Sequence, residues 1–292
     1  MTVEIRLFGT PEVAHEGAWL EPRLNKPFQL LCYLAYAHGW VGREQLAFLF
    51  WPDSSDTTAK ANLRQLVRRA KGLPFAHGLE IESDRLRWPL ATDIAAFRQA
   101  LAEQRWEDAV DSYRGPLLAD LVADDSSAFE GWLELEREGL ARAWREAAMA
   151  RISKLEAAGR SGAAVTLLRR LLDEDLVAED VVQRYLRAAY LAGRREEALR
   201  AYEAFAEQLA AELDLEPLEA TQALAASIRA AQPLATSVST PAPTRPLIPV
   251  QVLRPPRLIG RKEHLSALDA ATETAIMIAG EAGVGKSRLA TE

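Results

Sequence analysis

A single cysteine, Cys32, stands in 292 residues. One thiol builds no intramolecular disulfide framework, so a packed core must hold the fold, and a reducing cytosol is the compartment that fits. Cys32 lies inside the apolar run LLCYLAYA, which predicts an inert core thiol rather than a nucleophile. The four histidines, His15, His38, His77 and His264, are scattered without ligand spacing, and no metal site is expected. Nothing in the chain spells a catalytic set. No apolar run reaches the roughly 18 residues that a membrane crossing needs. The opening MTVEIRLFGT lacks the long apolar stretch of a secretory leader. A cytoplasmic protein with no membrane partner is the expectation.

What is present is an ordinary globular composition, 49% apolar and 26% charged, with room for two or three domains. The net charge of −7 hides a partition. Residues 1–90 sum to +1, residues 91–231 to −10 and residues 232–292 to +2. Within the first segment, DTTAKANLRQLVRRAK over 56–71 carries +4. Wound as a helix, it collects Ala59, Leu63, Leu66, Val67 and Ala70 on one face. Thr57, Thr58, Ala61, Arg64, Gln65 and Arg68 lie opposite, with Lys60 and Lys71 on one flank and Arg69 on the other. Such a face offers planar donors for base edges and cations for phosphates; a solvated cationic surface is the plainer alternative. Arg64, Gln65 and Arg68, at the middle of the face, are the candidates for base reading. Thr57, Thr58, Lys60, Arg69 and Lys71 are candidates for phosphate, and Asn62 sits at the flank, placed to cap or touch backbone.

The surroundings of this helix decide the fold expected for residues 1–90. Val3, Ile5 and Leu7 alternate with Glu4 and Arg6 as a half-buried strand does, and further short β segments run to about Trp19. A helix is expected from Pro27 to Gly39 and a shorter one from Arg43 to a stop at Trp51–Pro52. Asp53 to Asp56 form a polar turn. After the basic helix, LEIES and RLRWP alternate around Ser83–Asp84 as a hairpin, bringing Arg85 and Arg87 beside Leu86 and Trp88. The fold class predicted is an α+β winged helix-turn-helix domain followed by an all-α tetratricopeptide-like helical repeat domain. The repeat shows as Ala158-Gly159-Arg160 and Ala192-Gly193-Arg194, 34 residues apart. RWEDAVDSY, RSGAAVTLL and RREEALRAY align at Ala109, Ala164 and Ala198. Arrays of this kind mostly bind proteins. The long helix around residues 126–158 is expected to join the repeats and to be available as a dimer interface.

Residues 232–256 hold seven prolines and few charges, a semi-rigid linker. Residues 257–292 read as the truncated start of a P-loop ATPase domain. Gly280, Gly283, Gly285, Lys286 and Ser287 complete a GxxxxGKS phosphate loop, in which backbone N–H groups cradle phosphates, the lysine neutralises charge and the serine holds magnesium. Five residues follow Ser287. No nucleotide hydrolysis is expected, and ATP and Mg would enter as cofactors only with a complete ATPase domain.

The order of LFGTPEV, REQLAFLFWPDSSDTTAKANLRQLVRRAK, YRGPLLADL, FEGWLELERE and LRAYEAFAEQLAAELDLEPLEATQAL resembles the SARP family of bacterial regulators, an OmpR-type winged helix followed by a bacterial transcriptional activation domain. The resemblance covers roughly residues 3–231, and the LIGRKEHL and phosphate-loop tail is similar to the start of the STAND-type ATPase that large members append. It implies a DNA-binding transcriptional activator that docks on promoter direct repeats of double-stranded DNA, often as a homodimer, and recruits RNA polymerase. By position it assigns DNA reading to 56–71 and the wing to 79–88. Two other readings remain at this stage: a repeat-type protein-interaction adaptor, and the front end of a P-loop ATPase signalling switch.

Overall fold

Period-two patterning at the N-terminus becomes a β-meander: β1 (Glu4–Arg6), β2 (Glu12–His15) and β3 (Ala18–Leu20) pair antiparallel, with Ile5 opposite Val13 and both fully buried. This computed structural model describes residues 4–119, 121, 127–174 and 178–233. By its contacts the chain divides into units Met1–Thr236 and Ser237–Glu292. The proline-rich stretch beyond Pro233 and the whole phosphate loop, Gly280, Gly283, Gly285, Lys286 and Ser287, lie outside the described residues.

Helix α1 (Lys26–Ala37) starts where Asn25 Oδ1 accepts the Phe28 N–H at 3.2 Å and Pro27 occupies the first turn. Nine successive side chains, Phe28 to Tyr36, are buried, so α1 is the central post of the N-terminal part. It closes on His38, which takes the left-handed conformation at φ 51°, one residue before the glycine expected to do so. The two-residue strand β4 (Val41–Gly42), absent from the sequence reading, leads into α2 (Arg43–Phe50). Helix α3 (Asp56–Lys71) is capped by Ser55, whose Oγ accepts the Thr58 N–H at 3.4 Å. Asp56 at its start and Arg68, Arg69 and Lys71 at its end match the helix dipole. The hairpin β5 (Glu80–Ile81) and β6 (Arg85–Arg87) follows, and β4 adds to its far edge to give the order β4-β6-β5. Fully buried Trp88 anchors its base by donating its indole N–H to His77 O at 3.1 Å.

The chain then returns to its beginning. β7 (Ala91–Thr92) pairs parallel with β1, Ile5 opposite Thr92, and α4 (Asp93–Ala102) follows at once. Asp93 is the lock. Its carboxylate accepts the Leu7 and Phe8 N–H groups at 2.8 and 3.0 Å, and burial pushes its pKa up against those bonds and nearby Arg114. After α5 (Trp106–Ser112), the segment Pro116–Ala119 bonds the backbone of Leu7 and Gly9. Gly9 (φ 73°) and Gly115 (φ 149°) meet there so closely that a Cβ on Gly115 would lie 3.5 Å from the Gly9 Cα. LFGTPEV and YRGPLLADL, distant in sequence, are thus two sides of one seam.

The remaining helices stack as pairs. They are α6 (Ser127–Ala157), α7 (Ser161–Glu174), α8 (Glu179–Leu191), α9 (Arg195–Leu213) and α10 (Glu219–Arg229). The same turn precedes α5, α7 and α9. A left-handed residue (Gln104, Gly159, Gly193) is followed by an arginine whose N–H reaches five residues back, at 2.9, 2.8 and 2.8 Å for Arg105, Arg160 and Arg194. Ala109, Ala164 and Ala198 are each fully buried, small enough to let neighbouring helices approach.

Helix α6 does more than join repeats. Its first turns wedge Phe129 and Trp132 against the N-terminal helices: Trp132 meets Tyr33 and Tyr36 edge-on at 4.7 and 5.2 Å, and Phe129 meets Phe50 at 5.3 Å. Tyr36 donates its hydroxyl to Glu136 and accepts from Arg98. Arg137 donates to the Leu117 and Leu118 carbonyls at 2.7 and 2.6 Å. That end of α6 is therefore spent within the chain. Trp132→Ala should cost about 3 kcal/mol and split a single calorimetric unfolding transition into two; an unaltered single transition at the wild-type temperature would show that the wedge does not couple the two parts.

Candidate nucleic-acid interface

The apolar stripe of α3 packs as its spacing requires: Ala59, Leu63, Leu66, Val67 and Ala70 are buried against α1 and α2. That fixes the rotation of the helix and turns Thr57, Thr58, Arg64, Gln65, Arg68, Arg69 and Lys71 outward, all exposed, with Lys60 and Asn62 half-buried at the flanks. These residues differ in what holds them. Thr58 belongs to the cap, its hydroxyl 2.9 Å from Ser55 Oγ. Lys60 is tied to Asp56 at 2.8 Å and Glu44 at 3.5 Å, and the Asp56 carboxylate raises its ammonium pKa. Arg64, Arg68, Arg69 and Lys71 form no ion pair among the described residues. The charge at the far end of α3 is therefore available to an outside anion.

A groove of about 600 Å³ separates α3 from the hairpin turn, lined by Lys60, Leu63 and Arg64 on one side and by Arg43, Ser83 and Asp84 on the other. Arg43 braces the turn, its guanidinium donating to Glu82 O at 3.2 and 3.3 Å and its N–H to Asp84 O at 2.8 Å. Arg68, Arg69 and Lys71 lie beyond this groove, along the helix.

Alternation along β6 buries Leu86 fully and turns Arg85 and Arg87 to the other face. Both guanidiniums sit over the indole of Trp40, at 4.6 and 4.5 Å from the ring centroid. Each also has a carboxylate of its own hairpin: Arg85 Nε lies 2.6 Å from Glu82 Oε2, and Arg87 Nη2 lies 2.7 Å from Glu80 Oε2. Sequence reasoning singled out the two arginines and passed over Trp40, Glu80 and Glu82. Period two puts Glu80 and Glu82 across from Arg87 and Arg85 once the strand register is known. Nothing local pointed to Trp40. The hairpin is thus preorganised but electrically balanced, whereas the end of α3 is not.

Elsewhere the described residues carry little reactive chemistry. Cys32 is buried in α1 and burial pushes its thiol well up, which leaves it protonated and unreactive. Among the described residues no cluster of His, Cys, Asp and Glu is arranged to hold a metal, and no helix is long and apolar enough to cross a membrane.

Residues 90–229 match the family described as the bacterial transcriptional activator domain. That match spans just under half of the chain. Among solved structures it is similar to Mycobacterium tuberculosis EmbR, in a structure described as a complex with a low affinity phosphopeptide, at 23% identity and a TM-score of 0.53. That match covers 80% of this chain and 66% of the EmbR chain, so this chain spans just under two thirds of its counterpart's length. No curated protein matches the sequence. The family match begins at residue 90, immediately before the strand that returns to β1.

The charge balance of the hairpin yields a direct test. Replacing both Glu80 and Glu82 by Gln releases two guanidiniums while keeping their seat on Trp40. Affinity for random-sequence duplex DNA at low salt, read by fluorescence anisotropy, should rise roughly tenfold. Unchanged affinity would place the hairpin away from the polyanion.

Proposed function

We propose that this chain is a sequence-specific DNA-binding transcriptional activator that works by binding and catalyses nothing. The observation that carries the proposal is the exposed end of α3, where Arg64, Arg68, Arg69 and Lys71 have no carboxylate among the described residues, whereas Lys60, Arg85 and Arg87 nearby each have one. Its architecture is that of a winged helix-turn-helix, with α2 and α3 as the helix pair and β5–β6 as the wing, followed by tetratricopeptide-like helix pairs. Helix α3 enters the major groove of promoter DNA. Arg64, Gln65 and Arg68 read base edges, with arginine bidentate to guanine. Thr57, Thr58, Lys60, Arg69, Lys71, Arg85 and Arg87 hold phosphates on either side, and Asn62 touches backbone at the flank.

Lys60, Arg85 and Arg87 must exchange their carboxylates for phosphate on binding. Hence they contribute less to affinity than the unpaired cations. The acidic balance of residues 91–231 keeps the helical part off the duplex and leaves it to contact proteins, RNA polymerase among them. Promoter direct repeats and a side-by-side homodimer are the geometry the SARP likeness suggests, in the cytoplasm. The phosphate loop of Gly280 to Ser287 belongs to nucleotide control where a whole ATPase domain is attached.

Selection of bound sequences from a random duplex pool, with the winner titrated against salt, tests this reading. An enriched direct repeat with a steep salt slope is expected. Absence of enrichment favours the adaptor reading, in which the helix pairs alone carry the function. On the selected site, Arg64→Ala or Arg68→Ala should cost about 1–3 kcal/mol and relax the sequence preference. Lys71→Ala should weaken all sequences alike and shallow the salt dependence. Equal losses on selected and random DNA would remove Arg64 and Arg68 from base reading.

A further inference from the structure

Residues 91–231 hold 27 acidic side chains against 17 basic ones, and several of the guanidiniums there are held by carboxylates. Arg105 is held by Glu103 and Asp108, Arg151 by Glu107 and Asp111, and Arg184 by Glu156. Arg137, Arg170 and Arg195 are bound instead to backbone carbonyls, and one surface collects several guanidiniums together. On the face shared by α7 and α9, an open depression of about 530 Å³ is lined by Arg169, Arg194, Glu197, Arg200 and Ala201. Three guanidiniums surround one carboxylate.

That carboxylate is already satisfied. Glu197 Oε1 accepts the Tyr185 hydroxyl at 2.7 Å and Arg169 Nη2 at 2.5 Å. Its pKa is lowered, first by the Tyr185 hydrogen bond and further by Arg169, Arg194 and Arg200. Asp173 also acts on Arg169. Arg194 reaches Glu197 only at 3.8 Å, too far for a hydrogen bond. Arg200 donates Nε to its own helix, at Glu196 O 3.3 Å away, and has no carboxylate within ion-pair distance among the described residues. Tyr185, Glu197 and Arg169 thus form a fixed floor across α7, α8 and α9, and Arg194 and Arg200 stand beside it with free donors.

We propose that this depression docks an acidic segment of a protein partner, whose side-chain carboxylates are taken by Arg194 and Arg200. An arginine fork matches a carboxylate two bonds at a time. The site is open, with the side chains of Arg169 and Arg194 58% and 46% exposed, so it cannot enclose a small molecule as a ligand pocket does. A peptide lying across it supplies several carboxylates at once. A nucleic acid would meet the acidic surface around it. The recurring arginine before each of α5, α7 and α9 explains why Arg194 stands at this edge. Its counterpart Arg105 has both sides of its fork occupied, which is why the site forms at the third repeat and not the first. The inference does not depend on what α3 binds.

The test uses the full chain and a fluorescein-labelled hexaglutamate peptide, followed by anisotropy at two salt concentrations. Binding that weakens with salt and falls at least tenfold in the Arg194→Ala/Arg200→Ala double variant supports the proposal. Arg169 is left in place because it holds Tyr185 and Glu197, and circular dichroism checks that the variant folds. Arg64→Ala/Arg68→Ala serves as the control for the other basic surface and should bind the peptide as wild type does. The proposal falls if the wild-type chain does not bind the peptide, if the double variant binds it equally well, if the loss appears in the α3 variant instead, or if inorganic phosphate competes at concentrations where glutamate does not.

Discussion

The outward face of α3 is aimed by a layer of aromatic rings. Phe129 and Trp132 of α6 enter between Tyr33, Tyr36 and Phe50 of the first two helices, and α3 rests on those same helices through its apolar stripe. Rings packed edge-on resist sliding, because each hydrogen edge sits against the electron-rich face of its neighbour. The Tyr36–Glu136–Arg98 bonds and the two carbonyls held by Arg137 add direction to what the rings supply in adhesion. The orientation of the basic helix is thus set by side chains about sixty to eighty residues further along the chain.

Among the described residues, the arginines differ in what holds them: carboxylates, backbone carbonyls or nothing. The hairpin arginines have a ring and carboxylates to hold them. The end of α3 has neither, and neither do Arg194 and Arg200 beyond their weak contacts with Glu197 and Glu196. Surface ion pairs contribute little stability, so the paired arginines cost little to redeploy when a stronger anion arrives. Unpaired arginines remain a standing repulsion that only a partner relieves.

How much of this the sequence disclosed follows the range of the interactions. Helix α3 was legible to the residue, because a 16-residue amphipathic pattern with a serine cap and a following glycine leaves few alternatives. The repeat was legible because glycine tolerates the left-handed turn that Gly159 and Gly193 adopt; Gln104 makes the same turn without glycine and was recognisable only through the Arg105 and Ala109 that follow it. Strands β4 and β7 span two residues each, too short for any periodicity, and exist because the partner strand supplies the bonds. The pairing of Arg85 and Arg87 with Glu82 and Glu80, and their seat on Trp40, depend on register and on a loop some forty residues earlier. Residue types therefore identified the basic face, while the neutralisation of its wing half belonged to tertiary structure.

The parallel pairing of β1 with β7 has a consequence for synthesis on the ribosome. Strand β1 leaves the exit tunnel ahead of Thr92, Asp93 and Leu117, which cover its far edge and lie about ninety to a hundred and ten residues downstream. At roughly 5–20 residues per second, that edge waits on the order of 5–20 s for its neighbours, with only the β2–β3 meander beside it. Glu4 and Arg6 on the strand make a poor template for other chains during the wait. Strand β1 is therefore locked long after it is made, and a nascent chain that stops short of residue 118 cannot complete this sheet and seam.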